Sequence, residues 1–242
     1  MSQTHRINHQ PAFVLSSHPW RENSLRVELF SRDYGRVGVL ARSARTRGSE
    51  LRGVLVPFVP ISVSWFGKED WKTLHKAEWL GGWQLAQDKS LFSALYLNEL
   101  LLKLTAREDP HPDIYHALHQ TMREVCTQPE HSLALRQFEY TALKSLGWLP
   151  DFERDEWGDA VLPEKWYRVL PEHGLECLPN PIAQDNVVQG ELLLHLAQQN
   201  LSATHVQAAS RLMRKLIAFR VPELQSRLIL QQLQQFKNQF SL

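Results

Sequence analysis

The sequence predicts an α+β fold: a small closed β-barrel, then a helical domain carrying an irregular insertion with a hairpin. Three observations predict it. Apolar residues alternate with a period of two through the first eighty residues, the period becomes helical after Gly81-Gly82, and no helical period survives between 151 and 190. The expected domains are therefore 1–80 and 81–242, with 151–190 an irregular region inside the second.

In "SLRVELFS", Leu25, Val27 and Leu29 share one face of a strand and Arg26, Glu28 and Phe30 the other. Val37, Val39 and Ala41 repeat the pattern, as do Ile61, Val63 and Trp65 against Ser62, Ser64 and Phe66. "GKED", residues 67–70, reads as a hairpin turn into "WKTLHKAEW". About five short strands in this span suit a closed barrel, with the stretch between the third and fourth strands as its long connection.

The helical part opens with "SLFSALYLNELLLKLTARE". Leu91, Leu95, Asn98 and Leu102 form one stripe, Phe92, Tyr96, Glu99 and Lys103 another, and further leucines fill in, so a central helix is expected. Pro112 suits the first turn of the next helix, to about Cys126. A third, "HSLALRQFEYTALKSLG", carries Leu135, Phe138, Ala142 and Leu146 on one side and stops at Gly147. "WYRVLPEHGLECL" reads as a hairpin around Pro171 to Gly174. Helices over 187–199 and 205–219, and a last one in "VPELQSRLILQQLQQF", complete the bundle.

At 242 residues and 43% hydrophobic the chain can bury a real core. The first eleven residues lack an apolar run, and Leu91–Leu104 is broken by Asn98, Glu99 and Lys103, so neither a signal peptide nor a membrane span is expected and a cytoplasmic location is. Cys126 and Cys177 are too few for a disulfide framework or a four-cysteine zinc site. The net charge of +1 conceals an uneven layout. Residues 1–80 carry 12 cations and 7 anions, 151–191 carry 3 and 10, and 192–242 carry 6 and 1.

No phosphate-binding loop, dinucleotide fingerprint, nucleophile elbow or zinc-protease motif is present, so catalytic signals are poor throughout. In "DFERDEWGD", Asp151, Glu153 and Asp155 sit at calcium-loop spacing, but Glu156 takes the glycine position and Leu162 that of the closing glutamate, which favours a solvated acidic loop. His111, His116 and His119, and the pair His5 and His9, lack a completing cysteine or carboxylate. No metal or other cofactor is expected.

"RVGVLARSARTRGSELRG" is the informative stretch. Residues 36–52 hold five cations, Arg36, Arg42, Arg45, Arg47 and Arg52, against the single acid Glu50. Such self-repulsion is relieved when an anion arrives. Lys68, Lys72 and Lys76 lie on the adjacent predicted hairpin among Trp65, Phe66 and Trp71, and bases stack on aromatics while phosphates pair with cations. The plainer reading of these aromatics is barrel core, above all for Trp65. A second basic group, Arg211, Arg214, Lys215, Arg220 and Arg227, falls on the C-terminal helices, where Arg211, Arg214 and Lys215 share a face.

These residues lie within a wider resemblance. "AFVLSSHPWRENSL" at 12–25, "GRVGVLARSAR" at 35–45, "LVPF" at 55–58, "LYLNELL" at 95–101, "LALRQFEYTALKSLGW" at 133–148 and "SRLIL" at 226–230 resemble, in order and spacing, the RecO family of bacterial DNA repair and recombination proteins. The resemblance implies an N-terminal OB barrel and a helical domain. It implies non-enzymatic binding of single- and double-stranded DNA, annealing of strands coated by single-stranded-DNA-binding protein, and help to RecR in loading RecA. It also implies that Arg136 receives the acidic C-terminal tail of single-stranded-DNA-binding protein, with Leu133, Leu135, Phe138 and Leu104 around the tail's phenylalanine; an intrahelical pair of Arg136 with Glu139 is the alternative. The sequence departs from the family at Arg42-Ser43, where lysine-glycine is usual, at Gln225, where lysine is common, and in lacking the zinc ribbon that many relatives carry within 151–190. A metal-dependent nuclease using the acidic loop and a sequence-specific regulator are the rival readings.

Overall fold

The computed structural model describes residues 6–84, 86 and 88–229. The chain divides into two compact units, residues 1–129 with 224–242, and residues 130–223.

In the first unit, β1 (Arg6–Trp20), β2 (Ser24–Ser31), β3 (Gly35–Ala41), β4 (Pro60–Phe66) and β5 (Trp71–Trp79) close a barrel in the order β1-β2-β3-β5-β4, the topology of an OB fold. All pairs are antiparallel except β3 with β5, where Gly38 lies opposite Trp71. The alternation read from the sequence fills the barrel: Val27, Leu29, Val37, Val39, Ile61, Val63 and Trp65 pack in one cluster. The arginine-rich stretch is the connection between β3 and β4.

The outer face is less polar than the alternation suggests, because α1 (Asp88–Leu104) and α2 (Pro112–Thr127) belong to this unit. Phe13 and Phe30 are fully buried, and Phe13 packs its ring near Tyr115 of α2 and Trp83. The β1 ladder shifts register between Val14 and Ser16, and the Asn98 side chain donates to the carbonyls of Val14 and Leu15 at 3.0 and 3.1 Å. A buried carbonyl without a ladder partner needs such a donor. Of the stripe Leu91, Leu95, Asn98 and Leu102, Leu91 and Leu95 are exposed and Asn98 is buried, while Ala94, Leu97, Leu100, Leu101 and Leu104 face inward. The periodicity change after residue 80 therefore marks where strands end, while the compact unit runs on through α2.

The second unit holds α3 (Ser132–Ser145), a sheet of order β7-β6-β8 made from β6 (Trp166–Leu170), β7 (Gly174–Leu178) and β8 (Val187–Gln189), then α4 (Gly190–Ala197) and α5 (Val206–Arg220). The hairpin around residues 171–174 forms as read. Residues 187–189 pair with β6 instead of starting a helix, a strand too short to show a period. Residues 225–229 are helical, residues 221–224 at the start of the last expected helix are not, and its part beyond 229 lies outside the described residues, as does His5.

Candidate nucleic-acid interface

The β3–β4 connection is a built surface. Ala44 is fully buried and Leu55 nearly so, which anchors the segment to the barrel core. The Arg45 backbone N–H donates to Asn23 O at 2.9 Å and its guanidinium to Glu22 O at 3.1 Å, tying the connection to the β1–β2 turn. Thr46 donates from its N–H and its hydroxyl to Ser43 O, and Arg52 sits in a 3-10 turn, Glu50–Gly53. Arg42, Arg45, Arg47 and Arg52 are all exposed. Among the described residues none of the four forms an ion pair with a carboxylate. Their charge is available to an external anion.

The other cations of this unit divide sharply. Arg36, expected with the loop, is half-buried, with its Nη1 3.5 Å from Glu28 and its Nε donating to Thr105 O at 3.1 Å. Lys72 is 8% exposed, donates to Glu69 O at 2.8 Å and pairs with Glu108. Both ends of these bonds are protein groups, so these two cations neutralise the unit's own acids. Lys76 is exposed and 2.7 Å from Glu78, and Lys68 is exposed on the β4–β5 turn. Trp65 is buried, while Phe66 and Trp71 are half-buried.

A cation–aromatic ladder that sequence reading missed joins β1, β2 and β5 to the segment after α1. The Arg26 guanidinium carbon lies 3.4 Å from the Trp20 ring centroid and 5.0 Å from that of Trp71, and Arg107 lies 4.7 Å over the other partner, Trp71. Arg107 also pairs with buried Glu28. Two glycines permit this. A Cβ on Gly35 (φ +62°) would strike Asp109 O at 2.0 Å, and Gly35 thereby lets the segment after α1 bridge to β3 at Arg36–Arg107. A Cβ on Gly38 would meet Trp71 at 3.2 Å and Arg107 at 3.3 Å. The period-two pattern had placed Arg26 on the outer face; the signal was there, and only the long-range partners Trp71 and Arg107 were invisible.

An open cleft of about 1570 Å³ lies elsewhere on this unit, with Trp79, Trp83, Tyr115, His119 and Arg123 among its walls and no carboxylate among them. Burial pushes the thiol of Cys126, at its edge, up to about 11, so this cysteine is a poor nucleophile.

In the second unit Arg211, Arg214 and Lys215 are exposed on one face of α5. Arg220 is drawn away from them by Glu172 at 3.5 Å and by the rings of Trp148 and Phe219. Arg227, grouped with these cations from the sequence, belongs to the first unit, where it donates to Tyr96 Oη at 2.8 Å.

The surroundings expected of Arg136 differ from those found. Its Nη2 is 2.8 Å from Glu139, which is fully buried, and its Nη1 donates to Ser210 Oγ at 3.0 Å, so the intrahelical pair forms. Leu135 and Phe138 are core residues of the second unit and Leu104 is core of the first; only Leu133 of the four is part-exposed. Leu135, Phe138 and Leu104, which the family resemblance places around the tail's phenylalanine, are thus covered within their own units.

The acidic loop is organised by its own backbone. Asp155 Oδ1 accepts from the N–H groups of Trp157 and Asp159, both at 3.0 Å, and Asp151 Oδ1 from that of Glu153 at 2.9 Å.

No described helix is long and apolar enough to cross a membrane. Family profiles for the N-terminal and C-terminal domains of recombination protein O match residues 1–83 and 89–227. The DNA repair protein RecO of Neisseria gonorrhoeae is 49% identical over 243 residues, covering 96% of this chain and 97% of its own. Those of Azoarcus sp. and Chromobacterium violaceum are 41% and 39% identical, over 96% and 88% of this chain and 99% and 89% of theirs.

Proposed function

Because this chain belongs to the RecO family of DNA repair proteins, we propose that it mediates homologous recombination by binding, without catalysing a covalent step. It holds single- and double-stranded DNA, anneals complementary strands coated with single-stranded-DNA-binding protein, and acts with RecR to load RecA. It works on the chromosome in the cytoplasm. The observation that carries the reading is the β3–β4 connection, whose four exposed arginines have no carboxylate partner among the described residues while Arg36 and Lys72 beside them are neutralised.

Annealing brings two polyanions together, and their repulsion falls when protein cations replace condensed counterions. A surface of guanidinium groups without a carboxylate partner among the described residues does this without a nucleophile, and the bases then pair by themselves. Trp20 and Trp71 offer rings to an unpaired base where it displaces the Arg26 guanidinium that lies over them.

The test combines anisotropy of a labelled single-stranded oligonucleotide with an annealing assay on complementary strands, with and without magnesium. Salt-sensitive binding and faster annealing with intact strands are expected. Shortened strands in magnesium would replace the reading with a nuclease, and strong discrimination among duplexes would replace it with a sequence-specific regulator. Annealing on strands coated with single-stranded-DNA-binding protein, with and without RecR, tests the partner half.

A further inference from the structure

The second unit brings together a ligand set that contains no cysteine. Glu191 and His195 stand one turn apart on α4, and His205 follows at the head of α5. One potential ligand atom from each of the three lies within 4.8 Å of the other two. His195 Nε2 is 3.8 Å from Glu191 Oε1, and the two imidazole centroids are 4.4 Å apart. Bonds of about 2.0–2.1 Å to a tetrahedral ion place its ligands roughly 3.3 Å apart, a contraction within reach of small rotations of exposed and half-exposed side chains.

The surroundings prepare the nitrogens. His195 Nδ1 is 2.6 Å from Asn200 Oδ1, and the Asn200 amide nitrogen donates to Gln198 Oε1 at 3.4 Å, which sets the amide with its oxygen toward the ring. An oxygen there accepts, so Nδ1 carries the proton and neutral His195 keeps a bare Nε2 beside Glu191. His205 Nδ1 is 3.1 Å from Ser202 Oγ and 3.2 Å from Ser202 N. The Ser202 N–H donates to Nδ1, so binding through Nε2 takes the other tautomer, in which Nδ1 donates to the hydroxyl. Fixing the far nitrogen by a hydrogen bond is what orients metal-binding imidazoles generally.

We propose that Glu191, His195 and His205 bind a divalent transition-metal ion of the zinc, cobalt and nickel class. Two imidazoles and one carboxylate favour these ions over magnesium and calcium, which prefer all-oxygen sets. Three protein ligands leave at least one position open, and Glu191 and His205 also line a cleft of about 780 Å³ that includes Arg211, with room there for water or an anion. The site uses none of the arginines of the β3–β4 connection and no cysteine, although Arg211 of the second basic group shares its cleft.

The test uses full-length, untagged protein stripped with chelator, titrated with zinc by calorimetry and with cobalt by visible absorption. One saturable equivalent is expected, with tetrahedral or five-coordinate cobalt bands. His195→Ala and His205→Ala should each weaken binding about 100-fold or abolish it, and Asn200→Leu about 10-fold through loss of the orienting bond. Glu191→Gln, an exposed change that spares the fold, should also weaken it. Zinc should raise the melting temperature of the parent and not of the histidine variants. Absence of saturable binding by the parent, or undiminished binding by both the Glu191 variant and the folded histidine variants, overturns the proposal.

Discussion

The carboxylate of Glu99 in α1 receives the backbone N–H of Ser226 at 2.8 Å and its hydroxyl at 2.6 Å, while its second oxygen takes the N–H of Gln225 at 2.7 Å. One side chain thus caps the first turn of the helical stretch 225–229 and pins it to α1. Gln225 contributes only its backbone here, so its departure from the family's usual lysine leaves this cap intact. Lys103 completes the cluster at 3.1 Å.

Burial works to raise the pKa of Glu99, but the bonds from Ser226, Gln225 and Lys103 outweigh it and leave the carboxyl below its ordinary value. A depressed folded-state pKa contributes stability above the unfolded pKa, about 4.3, and loses it as pH falls through the lower folded value. Glu99→Gln should cost about 1 kcal/mol at pH 7, a modest figure because solvent partly screens the site. In denaturant melts that cost should shrink as the pH drops below about 4. A pH-independent difference would mean that the amide's shape, not the charge, matters at this cap.

Replacing Arg42, Arg45, Arg47 and Arg52 together with alanine should weaken single-strand binding several-fold. It should also reduce the slope of log K against log salt by about 0.7 for each lost phosphate contact. Lys72→Met is the contrast: its ammonium serves Glu69 O and Glu108, so it should lower the melting temperature and leave the salt slope unchanged. Equal slopes for the quadruple variant and the parent would make the connection an ordinary solvated loop.

Trp71→Ala removes the ring between Arg26 and Arg107. If bases stack there, oligonucleotide affinity should fall by about 1–3 kcal/mol, and the quenching of tryptophan fluorescence on binding should diminish. Gly38→Val should mimic the loss by displacing the ring while Trp71 remains. Unchanged affinity in both variants would confine the ladder to a structural role.

The barrel was legible because a closed sheet buries every second residue, and Val27, Val39 and Val63 obey that rule along three different strands. The arginine connection was legible because charge density is a local property. Pairing is not local. Nothing near Lys72 in sequence announces Glu108, nothing near Arg26 announces Trp71, and the approach of His205 to Glu191 and His195 depends on how the chain turns between α4 and α5. Cations were therefore found, but which of them spend their charge on the protein's own carboxylates was not. The same holds for α3, where a stripe containing Leu135 and Phe138 predicts burial but not which residues cover it.

That lesson shapes the last prediction, which concerns Arg136. The family resemblance makes it the receiver of a partner's terminal carboxylate, yet its guanidinium already serves Glu139 and Ser210. Arg136→Ala takes away the cation facing a fully buried carboxylate and should destabilise the second unit by about 3 kcal/mol, as when one member of a buried pair is removed. Tail-peptide affinity must therefore be compared well below the melting temperature of both proteins. If Arg136 also holds the tail, calorimetry there should show a further loss of about 2–4 kcal/mol in peptide binding, with naked-DNA affinity nearly unchanged. Ser210→Ala then separates the roles: it frees one guanidinium nitrogen without stranding a charge, so tail affinity should hold or rise. A destabilised Arg136→Ala protein that binds the tail as tightly as the parent would confine this arginine to its own partners Glu139 and Ser210.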